Sequence, residues 1–375
     1  MKESSISNQF RPTRARIDLE ALRHNFTLAR RLAGEAVPML GVVKANGYGH
    51  GALPVARVLE EAGAFALAVA TPEEGIQLRE GGVDLPVLVF GGPFGADAKT
   101  LARYSLIPVL YDREQIRYLQ DSAAASLPVY LKVDTGMTRL GIFPERVGDF
   151  LQELRRAPRL ELAGVMSHLA QADVTFEGPT AEQYRRFREV EVRLRREAPE
   201  VKVFHLANSA AILGSRVDSG DWARPGIMLY GSNPNPRFEA GKELRPVMHF
   251  ETAIVSLKEV PAGTAVSYGG TWVAPRPSRI AVLPVGYADG YIRHLSNCGE
   301  VLIRGRRAPV VGRVCMDLTM IDVTEVAEAA LGDPVTLWGG GLPAEEVAER
   351  AGTIAYELFC AVSPRVPRIY TGEAS

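Results

Sequence analysis

Val37-Pro38-Met39-Leu40-Gly41-Val42-Val43-Lys44-Ala45-Asn46-Gly47-Tyr48-Gly49-His50-Gly51 begins as an apolar run and ends among glycines. Residues 37–43 read as a strand buried on both faces, and the strand stops at a lysine. Keeping an amine charged at the end of a buried strand is costly, because desolvation disfavours the ammonium. A neutral amine is what a Schiff base or a general base requires. The plain alternative is a lysine with a buried stem and an ammonium that reaches water, the commoner arrangement for a lone strand-end lysine. The surrounding segments decide between the two.

Outward from this strand a rhythm appears. Asp18 caps a helix that Gly34 stops. Short β-rich runs recur near residues 38–44, 65–70, 86–90, 107–111, 128–133, 162–167, 202–206 and 224–230. Helical patterns lie between them, over 52–62, 72–80, 113–124, 145–156 and the heavily charged 181–196. Eight strands alternating with helices predict a parallel sheet, and eight is the number that closes a (β/α)8 barrel. An open doubly wound sheet is the rival, but no G-x-G-x-x-G follows the first strand. Beyond residue 243 the runs at 248–260, 265–268, 279–285, 300–303, 308–314, 319–323 and 335–338 are β-like and punctuated by Gly and Pro, with short helices over 344–351 and 356–361. The expected fold class is therefore α/β: an N-terminal TIM-like (β/α)8 barrel over residues 12–243, then a mostly β C-terminal domain over 244–375 that residues 1–11 could join. The proline-bearing stretch 232–246 is the expected linker.

With 375 residues, 46% hydrophobic and 23% charged, the chain can build two cores. A net charge of -1 lacks the basic field that would mark nucleic acid or an anionic membrane as partner. No apolar run approaches membrane-spanning length, and residues 1–16 lack the apolar segment of a secretory signal. Cys298, Cys315 and Cys360 fit no zinc spacing and are too few for a disulfide framework, which points to a reducing cytoplasm and no metal.

The polar residues of interest fall at the C-terminal ends of the expected barrel strands. Lys44 ends the first; Lys132, Asp134 and Arg139 lie at or after the fifth; Ser167-His168 ends the sixth; His205 to Ser209 ends the seventh; Arg224-Pro225-Gly226 lies in the eighth. Barrel enzymes place their sites on that face and often hold phosphate on the loops after strands 7 and 8. Asn208-Ser209 opening a helix and the backbone N–H groups of Gly226-Ile227 would supply such a cradle. Singly, each has a bland reading: His168 a hydrogen-bonded core histidine, Arg224 an ion-pair partner, Ser209 a helix cap. Gathered on one face, they are much harder to explain as a collective accident.

Val42-Val43-Lys44-Ala45-Asn46-Gly47-Tyr48-Gly49-His50-Gly51 resembles the pyridoxal-phosphate signature of bacterial alanine racemases, as do Asp134-Thr135-Gly136-Met137-Thr138-Arg139-Leu140-Gly141 and Arg224-Pro225-Gly226-Ile227-Met228-Leu229-Tyr230-Gly231. Ser267-Tyr268-Gly269-Gly270-Thr271-Trp272, Gly286-Tyr287-Ala288-Asp289-Gly290 and Gly312-Arg313-Val314-Cys315-Met316-Asp317 extend the resemblance, which runs in register from about Arg14 to Tyr370. Gly47 stands where alanine is common in the family, and Ala355 where proline is common.

The resemblance implies a cytoplasmic homodimer with active sites shared between subunits and pyridoxal 5′-phosphate as cofactor. The implied reaction interconverts L- and D-alanine, supplying D-alanine for peptidoglycan. Lys44 and Tyr268 would be the two bases, and Lys44 would also hold the cofactor. Tyr48, Ser209, Gly226, Ile227 and Tyr356 would bind its phosphate, with Asn208, His168 and Arg224 completing the cofactor site. Arg139 and the backbone N–H of Met316 would orient the substrate carboxylate. Asp173, Tyr287, Arg293, Arg313 and Ile354 would line the entry corridor. Lys132 matches a lysine often carbamylated in the family. A phenol, with an ordinary pKa of about 10, is a poor base at neutral pH, so His168 linked to Arg224 is expected to supply the positive potential that acidifies it. Arg224 also argues against the related decarboxylases, which place an acid at the cofactor's ring nitrogen, and the β domain argues against a single-domain cofactor carrier. A racemase for serine or lysine is the nearest competing expectation.

Overall fold

The structure is a computed structural model that describes residues 10–217 and 222–372. Strand β1 (Arg14–Asp18) leads directly into the helix Leu19–Ala33. Asp18 caps that helix, its Oδ1 accepting from the Ala21 N–H at 2.9 Å, and Gly34 ends it with φ 105°. The described residues form two compact units: Leu22–Gly47 with those between Gly51 and Leu244, and 10–21 with Tyr48–His50 and 245–372.

The first unit is a TIM-like barrel. Seven parallel strands run in sequence order: β2 (Leu40–Val42), β3 (Ala66–Val69), β4 (Val87–Val89), β5 (Leu106–Leu110), β6 (Leu127–Lys132), β7 (Leu160–Met166) and β8 (Val203–His205). β2, β3 and β4 are buried at every residue, as strands covered on both faces should be. The helices Ala52–Glu61, Pro72–Glu80, Arg113–Ser122, Val147–Arg155 and Pro179–Glu197 fall where periodicity places them, and a short helix, Ala98–Arg103, adds a connection the pattern did not resolve.

The expected eighth strand at 224–230 does not form. Pro225 has no N–H to give a ladder, and Ile227–Tyr230 winds into a 3-10 turn. Single bridges close the circle instead. The Leu40 N–H donates to Ala223 O at 2.8 Å, the Val42 N–H to Pro225 O at 3.1 Å, and the Arg224 N–H to Ala207 O at 3.0 Å. This leaves Pro225 and Gly226, after the single bridge at Arg224, outside any strand at the C-terminal end of the barrel, among the motifs.

The second unit is mostly β. Its largest sheet has the order β15 (Arg306–Pro309), β14 (Glu300–Ile303), β17 (Pro334–Trp338), β9 (Met248–Ala253), β1, β18 (Arg368–Thr371). β1, expected within the barrel segment, is therefore hydrogen-bonded into this sheet, antiparallel to β9 and parallel to β18, with Ala15 opposite both Phe250 and Arg368. Residues 1–9 lie outside the described residues. β10 (Ser256–Val260), β13 (Ser278–Leu283) and β16 (Thr319–Asp322) form a second sheet, and β11 (Ala265–Val266) pairs with β12 (Trp272–Val273). Phe250 and Trp338, both fully buried with centroids 4.5 Å apart, anchor the core, each burying enough apolar surface for about 1.5–3 kcal/mol. Among the described residues no helix is long and apolar enough to cross a membrane.

Candidate active site

Lys44 lies two residues past the end of β2, after Val43, and is half-buried. Behind it the backbone turns left-handed: Ala45 (φ 52°, ψ 51°), Asn46 (φ 53°, ψ 48°), Gly47 (φ 60°, ψ 46°) and Tyr48 (φ 51°). For an L-residue this conformation costs about 1–2 kcal/mol, and strain of that kind persists only where the surroundings hold it. The Gly47 N–H donates to Val43 O at 2.8 Å and the Gly51 N–H to Asn46 O at 2.9 Å. Asn46 Oδ1 caps the next helix by accepting from the Ala52 N–H at 2.9 Å. Gly49 is required for a separate reason: a Cβ there would come within 2.1 Å of Phe359 O.

The end of β6 and the loop after it bring Lys132, Asp134 and Arg139 to the same end of the barrel. Asp134 Oδ1 accepts from the N–H groups of Gly136 (2.9 Å), Met137 (2.9 Å) and Thr138 (3.1 Å), fixing the loop that carries the exposed Arg139. Lys132 is buried, and burial beside Arg224 and Arg139 lowers its pKa to about 7, against a smaller opposing pull from Asp134.

Arg224 sits at the centre. Its guanidinium, 3% exposed, donates to His205 Nδ1 (2.8 Å), His205 O (3.0 Å), Ser167 O (2.8 Å), Leu206 O (3.1 Å) and, at 3.4 Å, His168 Nδ1. An arginine cannot give up its proton, so both imidazoles accept at Nδ1 and carry their own proton on Nε2. Burial and the cations Arg224, Lys132, Arg139 and Lys44 push His168 well below its usual pKa; burial, Arg224 and Lys132 do the same to His205. The link between His168 and Arg224 is therefore present, but the charge in it belongs to Arg224 and the imidazole is neutral.

The depressed His205 pKa has a thermodynamic consequence. Below a pH of about 6.5 the unfolded chain takes up a proton that the buried imidazole refuses, so stability is present above that pH and is lost as pH falls. The loss is about 1.4 kcal/mol per pH unit for this group. Urea midpoints measured between pH 7.5 and 5.5 should fall less steeply in His205→Gln, which keeps an acceptor for Arg224 but does not titrate; identical slopes would contradict this.

Asn208, not Ser209, is the cap of the helix Ser209–Leu213, its Oδ1 accepting from the Ala211 N–H at 3.1 Å. Ser209 is thereby released from capping. Its Oγ accepts from the N–H groups of Gly226 (2.8 Å) and Met228 (3.4 Å), which draws the hydroxyl and the amides around Ile227 into one cradle.

In the β unit the motifs interlock. Gly286 packs where a Cβ would meet Cys315 O at 2.2 Å, and the Tyr287 and Ala288 N–H groups donate to Cys315 O and Met316 O at 3.0 and 3.1 Å. Ser267 (φ 65°) donates its hydroxyl to Arg313 O at 2.7 Å and presents Tyr268, 71% exposed. Ser267, Tyr268, Cys315, Met316 and Leu318 line an open cleft of about 390 Å³. The buried Tyr48 ring stands 5.9 Å from that of Tyr356, and burial, then Tyr356 and Cys360, raises the Tyr48 pKa. Of the expected corridor residues, Tyr287, Arg293, Arg313 and Ile354 belong to the β unit and Asp173 to the barrel unit.

Two contributors carry little signal in the sequence. His205 reads there only as a strand end, and Gln183, on the charged helix, shows none at all. Gln183 is 2% exposed; its Nε2 donates to His168 O (2.9 Å) and Thr135 Oγ1 (3.3 Å), and its Oε1 accepts from the Ala170 N–H (2.9 Å). It thus pins the His168 segment to the loop that bears Arg139.

Residues 17–234 match the family model described as alanine racemase, N-terminal domain, and residues 247–370 the one described as alanine racemase, C-terminal domain. The chain is 45% identical to the alanine racemase of Halothermothrix orenii over 367 residues, covering 96% of this chain and 97% of that one. It is also 45% identical to the alanine racemase of Geobacter sulfurreducens over 371 residues, with 96% and 97% covered. Among solved structures it is similar to the biosynthetic alanine racemase from Pseudomonas aeruginosa (TM-score 0.88, 39% identity, 97% of this chain and 100% of that chain). It is likewise similar to the alanine racemase from D-cycloserine-producing Streptomyces lavendulae (TM-score 0.91, 33% identity, 97% and 98%).

Proposed function

We propose, from the premise that this chain belongs to the alanine racemase family, that it interconverts L- and D-alanine with pyridoxal 5′-phosphate and one base from each of two subunits. The observation that carries the reading is the cation cluster. Lys44, Lys132, Arg139 and Arg224 all raise the potential at His168, while the nearby Asp134 carboxylate is committed to its own loop. Four cations gathered on one neutral imidazole, Lys132 and Arg224 buried and Lys44 half-buried, have the chemistry of an anion site.

The donor set fits the cofactor. Ser209 with the Gly226 and Ile227 amides would hold its phosphate, joined by Tyr48 and Tyr356, with Asn208 fixing the helix start. Lys44 would carry it on its amine, and Arg224 would donate to its ring nitrogen. When bound, pyridoxal phosphate would supply an electron sink that acidifies the α-proton of an amino acid. Arg224 can only donate, so the ring nitrogen would stay unprotonated and the sink moderate, which favours inversion over side reactions such as transamination.

Inversion removes a proton from one face of a planar α-carbon and returns one on the other, so two opposed bases are needed. Lys44 would take the α-proton of D-alanine. Tyr268 of the partner subunit would take that of L-alanine, its phenol accepting a hydrogen bond from the Nε2–H of neutral His168, behind which stands the Arg224 charge. Arg139 and the Met316 amide would hold the substrate carboxylate, and Asp173, Tyr287, Arg293, Arg313 and Ile354 would line the approach. Lys132, its pKa lowered to about 7 and so partly unprotonated there, would add to carbon dioxide through the nitrogen of its neutral form with loss of one proton, exchanging a cation of the cluster for an anionic partner to Arg139. A cytoplasmic supply of D-alanine for peptidoglycan is the physiological role this reaction fits.

Tyr268, Met316, Leu318, Tyr287 and Ile354 are all exposed on the β unit, an apolar surface that suits a partner chain better than water. Racemase activity per chain should therefore fall on dilution in step with dissociation of a dimer, measured by sizing at the same concentrations. A fully active monomer would contradict the shared site.

A further inference from the structure

A side-chain tether holds the start of the left-handed turn after Lys44. The Ala45 N–H donates to Glu74 Oε1 at 2.6 Å, a short, charge-assisted bond. The second oxygen of the same carboxylate accepts from the Ala70 N–H at 2.7 Å and the Thr71 N–H at 3.4 Å. Ala70 immediately follows β3, the strand paired with β2, so one carboxylate ties the residue after Lys44 to the end of the neighbouring strand. Glu74 is read at first sight as a helix-capping residue, since Thr71 Oγ1 accepts from its N–H and the pair forms a capping box for the helix Pro72–Glu80. Capping accounts for the bond to Thr71 N but not for the shorter one to Ala45.

We infer that Glu74 is a positioning residue: it fixes the strained turn and thereby sets where the Lys44 amine stands relative to the substrate. The inference rests on Lys44 being one of the two bases. A turn of successive left-handed residues relaxes toward ordinary backbone when a tether is cut, and Lys44 is the residue next to the released end. Tyr268 lies far along the chain and does not depend on that tether, so loosening Lys44 should harm one face of the reaction selectively.

The test follows α-proton exchange of each enantiomer in deuterium oxide, beside the fraction of Lys44 linked to pyridoxal phosphate after borohydride reduction and peptide mass analysis. Glu74→Ala should slow exchange of D-alanine at least ten-fold more than that of L-alanine and lower the trapped Lys44 fraction. Glu74→Gln keeps one acceptor oxygen but turns an NH2 donor toward the N–H groups on the other side, so it should give the same asymmetry at smaller size. Thr71→Ala removes the cap partner and should leave the two enantiomers equally affected. If Glu74→Ala fails to fold, Glu74→Asp decides, because it withdraws the carboxylate by one methylene and should give the same asymmetry. Equal slowing of both enantiomers in the Glu74 variants, or the asymmetry appearing in Thr71→Ala, would overturn the inference. Failure of the unaltered protein to exchange either enantiomer would instead overturn the racemase reading on which it rests.

Discussion

Lys44→Ala should abolish the absorbance at the visible edge that marks the lysine–cofactor link, and racemisation should disappear with it. Lys44 is asked to do two things: hold the cofactor through its amine and serve as the base on one face. Loss of the base alone removes roughly 10²–10⁴-fold, and loss of the covalent attachment compounds it. The fold should survive, because Lys44 is half-buried at a strand end and an alanine leaves β2 and its hydrogen bonds untouched. The check is a visible spectrum of the purified variant mixed with pyridoxal phosphate, beside a chiral assay. Retention of the band at full intensity would remove Lys44 from its role.

Tyr268→Ala should separate the two faces. Tyr268 is largely exposed within its own chain, so its removal should leave that chain's fold intact. The effect should fall on one proton: exchange from L-alanine in deuterium oxide should slow roughly 10²–10⁴-fold, while exchange from D-alanine, which needs only Lys44, should persist. Net racemisation should be lost in both directions, since each requires both bases. Equal loss of the two exchanges would show that Tyr268 merely shapes the pocket. The expected asymmetry is opposite to that of Glu74→Ala, so the two variants together distinguish the faces.

Periodicity placed seven barrel strands and most of their helices, because apolar runs punctuated by Gly and amphipathic helices are local signals. It failed where closure is not local. The segment at 224–230 has a strand's composition, yet Pro225 and the 3-10 turn at Ile227–Tyr230 leave it attached by single bridges. The residues of β1 adjoin a barrel helix in sequence, but their partners, β9 and β18, lie more than 200 residues away. At the site, residue types and strand-end positions marked Lys44, Lys132, His168, Ser209 and Arg224. The neutral state of His168 could not be read, because it depends on four cations brought from three separate segments. Nor could the handedness of the turn at Ala45–Tyr48, since only Asn46 and Gly47 among its left-handed residues are types that favour it and Ala45 and Tyr48 are not.

The most direct measurement is to incubate the purified protein with pyridoxal phosphate and L-alanine, and in parallel with L-serine and L-lysine, and to follow each enantiomer by chiral chromatography. Alanine should proceed to equal amounts of the two enantiomers, and much faster than either of the others. No D-alanine, or faster inversion of serine or lysine, would contradict the assignment.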